Sequence, residues 1–356
     1  MGADPGRRRS RAGRVRRLGG VLLCGALLCG ALLAAGCSGG GDGPSASPSP
    51  SRTSPTPSSS PSLSAAASPA VRATAGGGCA GGGPALRQGR NTIDFGGLRR
   101  VYLLALPRGR GPHPVLFDLH GLGSDAARQA AYSRLPSEGA KRGYLVITPQ
   151  TAEGRVGWTL PHAYGPDDTG FLTALLERVE QGACVDRRRV FAAGMSFGAG
   201  MSAALACAMD GRLAGVAAVA GLSIVPPCER PAPLTVLAFH GTADQIVPYE
   251  GGHPFQNSSE RRGLARLVVL PPVQDSAKGW ARALGCTGDG VSAPAPQVRL
   301  RRWTGCHDGA SVRLYTLRGA GHTWPGPIAV RRLGSTSREL DATKVILDVF
   351  DAAPPR

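Results

Sequence analysis

Three side chains spread along the second half of the chain have the types and order that acyl transfer requires. Ser196 stands in Gly194-Met195-Ser196-Phe197-Gly198, the G-x-S-x-G pattern that lifts a serine onto a sharp strand-to-helix turn. A serine hydroxyl is a weak nucleophile at its own pKa and needs an adjacent base. An imidazole with its tautomer fixed by a carboxylate supplies one. Following a serine of this kind, the order along the chain is acid and then histidine. Asp244, at the end of His240-Gly241-Thr242-Ala243-Asp244, and His322, at the end of Gly319-Ala320-Gly321-His322, satisfy that order. Small residues ahead of His322 give a loop room to carry an imidazole into a cleft. His240 precedes the acid and breaks the order, so it reads as a ring that hydrogen-bonds locally and supports the acid loop. His253 and His307 are the other candidate bases, and Asp275 and Asp308 the other candidate acids. The anionic intermediate needs two amide donors. One is the amide after the serine, Phe197, and the other lies in His120-Gly121-Leu122-Gly123, with Leu122 the expected donor.

Elements that could hold these residues follow from the pattern of the chain. Short apolar runs at 100–106, 114–119, 144–148, 189–193, 215–220, 234–239 and 312–317 read as strands. Stretches at 125–131, 170–181, 198–209, 275–284 and 341–351 read as helices, the last with Val345, Ile346, Val349 and Phe350 on one face. Their alternation predicts an α/β fold with a mostly parallel central sheet and helices on both faces. In such sheets ligands bind beyond the carboxyl ends of the strands. The glycine-histidine loop, the serine turn, the acid loop and the histidine loop each follow one of these runs. About 280 residues from Cys79 onward suffice for one domain of this kind. Asp168 reads as a cap for the helix starting near Gly170, and Tyr249 as structural.

The front of the chain reads as an address. Residues 7–17 carry seven arginines, and residues 18–35 are almost wholly apolar or small. Cys37 follows Leu33-Ala34-Ala35-Gly36, so residues 1–36 read as a lipoprotein signal with Cys37 the lipidated residue. The competing reading, a transmembrane helix, would be short for a bilayer. Arg16-Arg17 also fits a twin-arginine route loosely. Residues 37–78 are Ser, Pro, Ala and Gly with almost no large apolar side chain, and should form a disordered tether. The protein is therefore expected outside the cell, anchored to the membrane by its N-terminal lipid.

The formal charge of +17 falls to about +11 without residues 1–36. The arginines are scattered and lack interleaved aromatics, which argues against nucleic acid as a partner. Six cysteines remain after Cys37, an even number that implies disulfides, with fifteen possible pairings. Cys286 and Cys306 flank a turn-rich segment and one strand, and could close a local loop. Cys207 ends the helix after Ser196, and Cys228 follows the next strand and its loop. Cys79 with Cys184 is left by elimination. No cysteine or histidine spacing suggests a metal site.

LHGLG at 119–123, GWTLP at 157–161, CVDRRRVFAAGMSFGAGMS at 184–202, FHGTADQIVPYEGG at 239–252 and GAGHTWPG at 319–326 together carry a resemblance. Across roughly 79–351 the chain resembles the polyhydroxybutyrate depolymerase and feruloyl esterase-like group of α/β-hydrolases. The resemblance implies the α/β-hydrolase fold, a Ser196, Asp244 and His322 triad, and bridges Cys207–Cys228 and Cys286–Cys306. One departure is Phe197, where relatives often carry a small polar residue. Trp158, Phe197 and Trp324 could line an aromatic-accepting cleft. The expected activity is serine carboxylesterase hydrolysis of a small-molecule or polymer ester, with no cofactor or metal. Hydroxycinnamate esters, short polyesters and acetylated sugars are the candidate substrates. An acyltransferase, a peptidase and a non-catalytic envelope-binding lipoprotein are the alternatives.

Overall fold

A computed structural model describes Cys79, residues 86–256 and residues 267–356. The signal expected at 1–36, Cys37 and the tether expected at 37–78 lie outside the described residues, all of which belong to one unit, Ser68–Arg356.

Alternation of side chains across each strand decides the layering. In β5 (Val185–Met195), Val190 and Ala192 enter one apolar layer, and Phe191 and Ala193 the other. A strand buried on both faces reads as a continuous apolar run, which is why its sequence signal is strong. The same holds for β3 (His113–Leu119), β4 (Leu145–Pro149), β6 (Gly215–Val219) and β7 (Thr235–Gly241), while β10 (Ser311–Leu317) mixes buried apolar residues with half-buried polar ones. These pair in parallel in the order β4-β3-β5-β6-β7-β10.

Antiparallel strands close both edges: β2 (Leu98–Ala105) with β1 (Gly89–Phe95) on one side, β9 (Val298–Thr304) with β8 (Gly288–Ala295) on the other. The sequence pattern marks β2 and one strand between Cys286 and Cys306, where the structure has two, β8 and β9; it does not mark β1. Strand β1 alternates between half-buried and exposed positions, and β8 is largely exposed with two glycines and a proline, so neither carries an apolar run. Strand β9 alternates buried apolar residues with arginines.

Helices α3 (Asp168–Gly182), α4 (Phe197–Ala208) and α5 (Val273–Ala283) cover one face. Helices α2 (Leu135–Lys141) and α6 (Ala342–Asp351) cover the other. Helix α1 (Ala126–Ser133) starts beyond β3, capped by Asp125. Helix α2 escapes the sequence reading because seven residues with a proline and a glycine give no helical period. The result is the α/β-hydrolase fold expected above. Disulfides join Cys79 to Cys184, Cys207 to Cys228 and Cys286 to Cys306. No described helix is long and apolar enough to cross a membrane.

Asp168 departs from its expected role. Asp167 caps α3, accepting from the Gly170 amide at 2.8 Å, while Asp168 turns inward to Arg100 at 2.6 Å. Both partners are buried, the guanidinium lies over the Phe171 ring, and the second carboxylate oxygen accepts from the Thr159 amide at 2.7 Å. The pair ties β2, the strand next to the edge, to the loop entering α3. Removing one member of such a pair strands the other charge in the interior. Asp168→Ala is expected to lower the unfolding free energy by about 3–5 kcal/mol. Urea denaturation measures this, and a loss below about 1 kcal/mol would show that Arg100 finds water instead.

Candidate active site

Strand β5 runs between β3 and β6 and ends at Met195, and α4 begins at Phe197. One residue must therefore reverse the chain. Ser196 does so at φ 56°, ψ −122°, a conformation costing a non-glycine residue about 1–3 kcal/mol. Its surroundings hold it there. The Ser196 amide donates to Val219 O at 2.8 Å, and its carbonyl accepts from the amides of Ala199 and Gly200 at 2.9 and 3.1 Å. A Cβ on Gly198 would lie 2.1 Å from Leu119 O, and one on Gly194 2.4 Å from Gly198 O. Backbone meets backbone at this turn, so the two glycines are steric requirements.

The loop after β3 lies against the serine. A Cβ on Gly121 would sit 3.1 Å from Ser196 Cβ. Within this loop Gly123 N donates to Val156 O at 2.7 Å and Ser124 N to Gly121 O at 3.1 Å. The Leu122 amide has no acceptor among the described residues. Phe197 N–H belongs to the first turn of α4, where amides lack intrahelical acceptors and the helix dipole is positive. His120 braces the loop from behind. Its Nε2 accepts from the Thr151 amide at 3.4 Å, which leaves Nδ1–H to donate to Gly121 O at 2.9 Å. Burial pushes this imidazole below its ordinary pKa, consistent with a neutral structural ring. Trp158 packs on it, centroids 4.9 Å apart, and donates its indole N–H to His120 O at 2.8 Å.

The acid and histidine loops fold as one piece. A Cβ on Gly241 would lie 2.1 Å from Ala320 O, and Ala243 N donates to that oxygen at 2.9 Å. Asp244 is fully satisfied. Its Oδ1 accepts from the amides of Ile246 and Val247, both at 2.9 Å. Its Oδ2 lies 2.8 Å from His322 Nδ1 and 3.3 Å from His240 Nε2. Burial alone would raise the Asp244 pKa, but hydrogen bonds and charge from His240 and His322 outweigh it and hold the carboxyl well below the usual range. His240 Nε2–H also donates to Val247 O at 2.8 Å, so this buried ring locks both ends of the acid loop. With Nδ1–H committed to Asp244, the Nε2 of His322 is the nitrogen able to accept a proton.

Ser196 and His322 line one cavity of about 940 Å³, together with Gly121 and Leu122. His253 and His307 are not part of its wall. His253 bonds Val268 O at 2.9 Å, and the His307 ring lies against Gly285. Asp275 pairs with Lys278, and Asp308 sits in a short turn, both away from the cavity.

The aromatic-lined cleft needs correction. Trp158 and Trp324 do not line the cavity: each is nearly inaccessible, and the indole N–H of Trp324 is spent on Thr343 Oγ1 at 3.0 Å. Phe197 likewise packs on the core beside Gly157. The walls instead include Tyr132, Arg128, Gln129, Ile246, Leu333 and Arg332. Of these only Ile246 belongs to a motif, the 239–252 segment. The one available signal is the phase of α1, where Arg128 and Tyr132 stand four residues apart on one face.

No family model matches the chain. Feruloyl esterase B of Piromyces equi is 29% identical over 222 residues, 59% of this chain but only 39% of that longer protein. Feruloyl esterase C of Emericella nidulans is 28% identical over 251 residues, 68% of this chain and 87% of its own. NocK of Nocardia uniformis subsp. tsuyamanensis, assigned as an esterase, is 30% identical over 260 residues, 68% and 75% of the two chains. The chain belongs to the feruloyl esterase-like family of carboxylic ester hydrolases. The fold of this family member is shared with the acetyl xylan esterase from Aspergillus awamori, at a TM-score of 0.52, 15% identity and coverage of 74% and 99%.

Helix α1, which carries part of the cavity wall, is anchored by a buried carboxylate. Asp118 accepts from Gln129 Nε2 at 2.7 Å and Ser133 Oγ at 2.6 Å, and burial raises its pKa to about 6. In the unfolded chain it titrates near 4. Between those values the folded state keeps a proton that the unfolded chain has released. Stability contributed by this group therefore falls as pH rises through roughly 4 to 6 and levels off above. Asp118→Asn is expected to remove that fall, so its stability at pH 8 relative to pH 4 gains about 2–3 kcal/mol on the parent protein. Denaturation of both proteins across this range tests it, and parallel pH profiles would contradict it.

Proposed function

We propose that the mature protein is an exported serine esterase of hydroxycinnamate-type esters. The observation that carries this reading is the 2.8 Å contact of His322 with Asp244 on the wall of the cavity that Ser196 enters from its strained turn. Ser196 Oγ attacks the ester carbonyl carbon as His322 Nε2 takes its proton. The carbonyl oxygen becomes an oxyanion between the amides of Leu122 and Phe197. Collapse breaks the bond to the alcohol oxygen, which leaves with the proton from His322 and generates an acyl-Ser196. Water, deprotonated by His322, repeats the sequence and releases the acid. Asp244 stays ionised and fixes the tautomer throughout. Such chemistry needs no metal and no cofactor.

The feruloyl esterases among the relatives support the acyl preference, and the apolar share of the wall, with Leu122, Ile246, Ile328 and Leu333, suits a phenylpropenoyl group. Export through the signal at 1–36 and anchoring at Cys37 agree with three disulfides, which persist in oxidising surroundings.

Ser196→Ala is expected to lower kcat on methyl ferulate by about 10⁴-fold or more with an unchanged circular dichroism spectrum. Assayed side by side, methyl ferulate should exceed p-nitrophenyl butyrate, a 3-hydroxybutyrate oligomer and acetylated xylan in kcat/KM. Preference for the oligomer or the xylan would contradict the hydroxycinnamate assignment, and full activity of Ser196→Ala would contradict the mechanism.

A further inference from the structure

We infer that the alcohol half of the natural ester carries a carboxylate and that Arg332 receives it; this deepens, and rests on, the esterase reading. The charges of the cavity wall are one-sided. Arg128 and Arg332 line it, and no aspartate or glutamate does among the described residues. The two guanidiniums differ in what already compensates them. Arg128 lies 3.3 Å from the carboxylate of Asp125, the cap of its own helix. Arg332 has no ion-pair partner among the described residues. A guanidinium presents planar paired donors that match a carboxylate, and an unpaired one beside a cavity favours an anionic ligand over a neutral sugar or alkyl chain.

The position of Arg332 says which half of the ester is charged. It lies in the short turn Arg331–Leu333, and that turn is docked on the histidine loop. Gly321 N donates to Ser335 O at 2.8 Å, Thr323 Oγ1 donates to the same oxygen at 3.2 Å, and a Cβ on Gly321 would lie 2.5 Å from Leu333 O. Arg332 is thus held on the loop that carries His322, the group that protonates the leaving oxygen, and both line the one cavity. The alcohol must be on that side when it departs. Arg128, in contrast, is carried by α1 beyond the loop of Gly121 and Leu122, on the oxyanion side.

The test uses two esters with one acyl group, 4-acetoxybenzoate and its methyl ester, and follows release of the phenol. Wild-type protein, Arg332→Gln and the neighbouring Arg331→Gln are compared, the last removing an equal charge from a residue outside the cavity wall. Expected is a fall of about fivefold to tenfold in the ratio of kcat/KM for the anionic over the neutral ester in Arg332→Gln, with the ratio unmoved in Arg331→Gln. An unchanged ratio in Arg332→Gln, or equal falls in both variants, overturns the inference while leaving the esterase reading intact. Absence of turnover of either ester by the wild type would instead count against the esterase reading. Calorimetric binding of 4-hydroxybenzoate and its methyl ester to Ser196→Ala then decides the anion site separately: selective binding of the acid, lost with Arg332→Gln, upholds it, and equal binding of the two overturns it.

Discussion

A backbone turn that no ordinary residue would adopt unaided governs the rim of this sheet. Ser196 holds a positive φ because β5, α4 and the loop after β3 meet there with carbonyl oxygens where side chains would otherwise be. The strain is offset by three backbone hydrogen bonds and by packing of an almost wholly buried, alanine-rich α4 against β5 and β6. A bulkier helix would stand away from the sheet and let the turn relax. Small residues in α4 thus set how closely the helix N-terminus approaches the Ser196 turn.

The acid and the histidine obey a similar economy of distance. They come from β7 and β10, adjacent parallel strands far apart in sequence, and the loops beyond them touch at Gly241 and Ala320. Asp244 then reaches two imidazoles at once. Only His322 reaches the cavity; His240 is spent on Val247 O and on the carboxylate, which lowers the freedom of the acid without offering a second base. The contrast between these two rings, one orienting and one able to exchange a proton, follows from which loop atoms accept their N–H groups.

Much of this was legible in the chain. Doubly buried strands announce themselves as apolar runs, and residues just beyond them, Ser196, Asp244, His322 and the loop around Leu122, are the ones the sheet gathers. Polar edges are less legible: β1, β8 and β9 are held by register with a neighbour and owe little to their own composition. The cavity wall was hardest to read. Trp158 and Trp324 look like ligand contacts in sequence because they neighbour glycine turns, yet their indole N–H groups are used to brace His120 and Thr343. Tyr132 and Arg332 line the cavity from segments without a motif, since folding alone brings α1 and the 331–333 turn to the same rim.

Ser196 is the group whose activation this geometry would supply, and its reactivity decides the matter. Reaction with a fluorophosphonate probe followed by peptide mass spectrometry tests that most directly. A single adduct on the peptide containing Ser196, lost in His322→Ala, is the predicted result. An adduct on another residue, or undiminished labelling of Ser196 without His322, would contradict it.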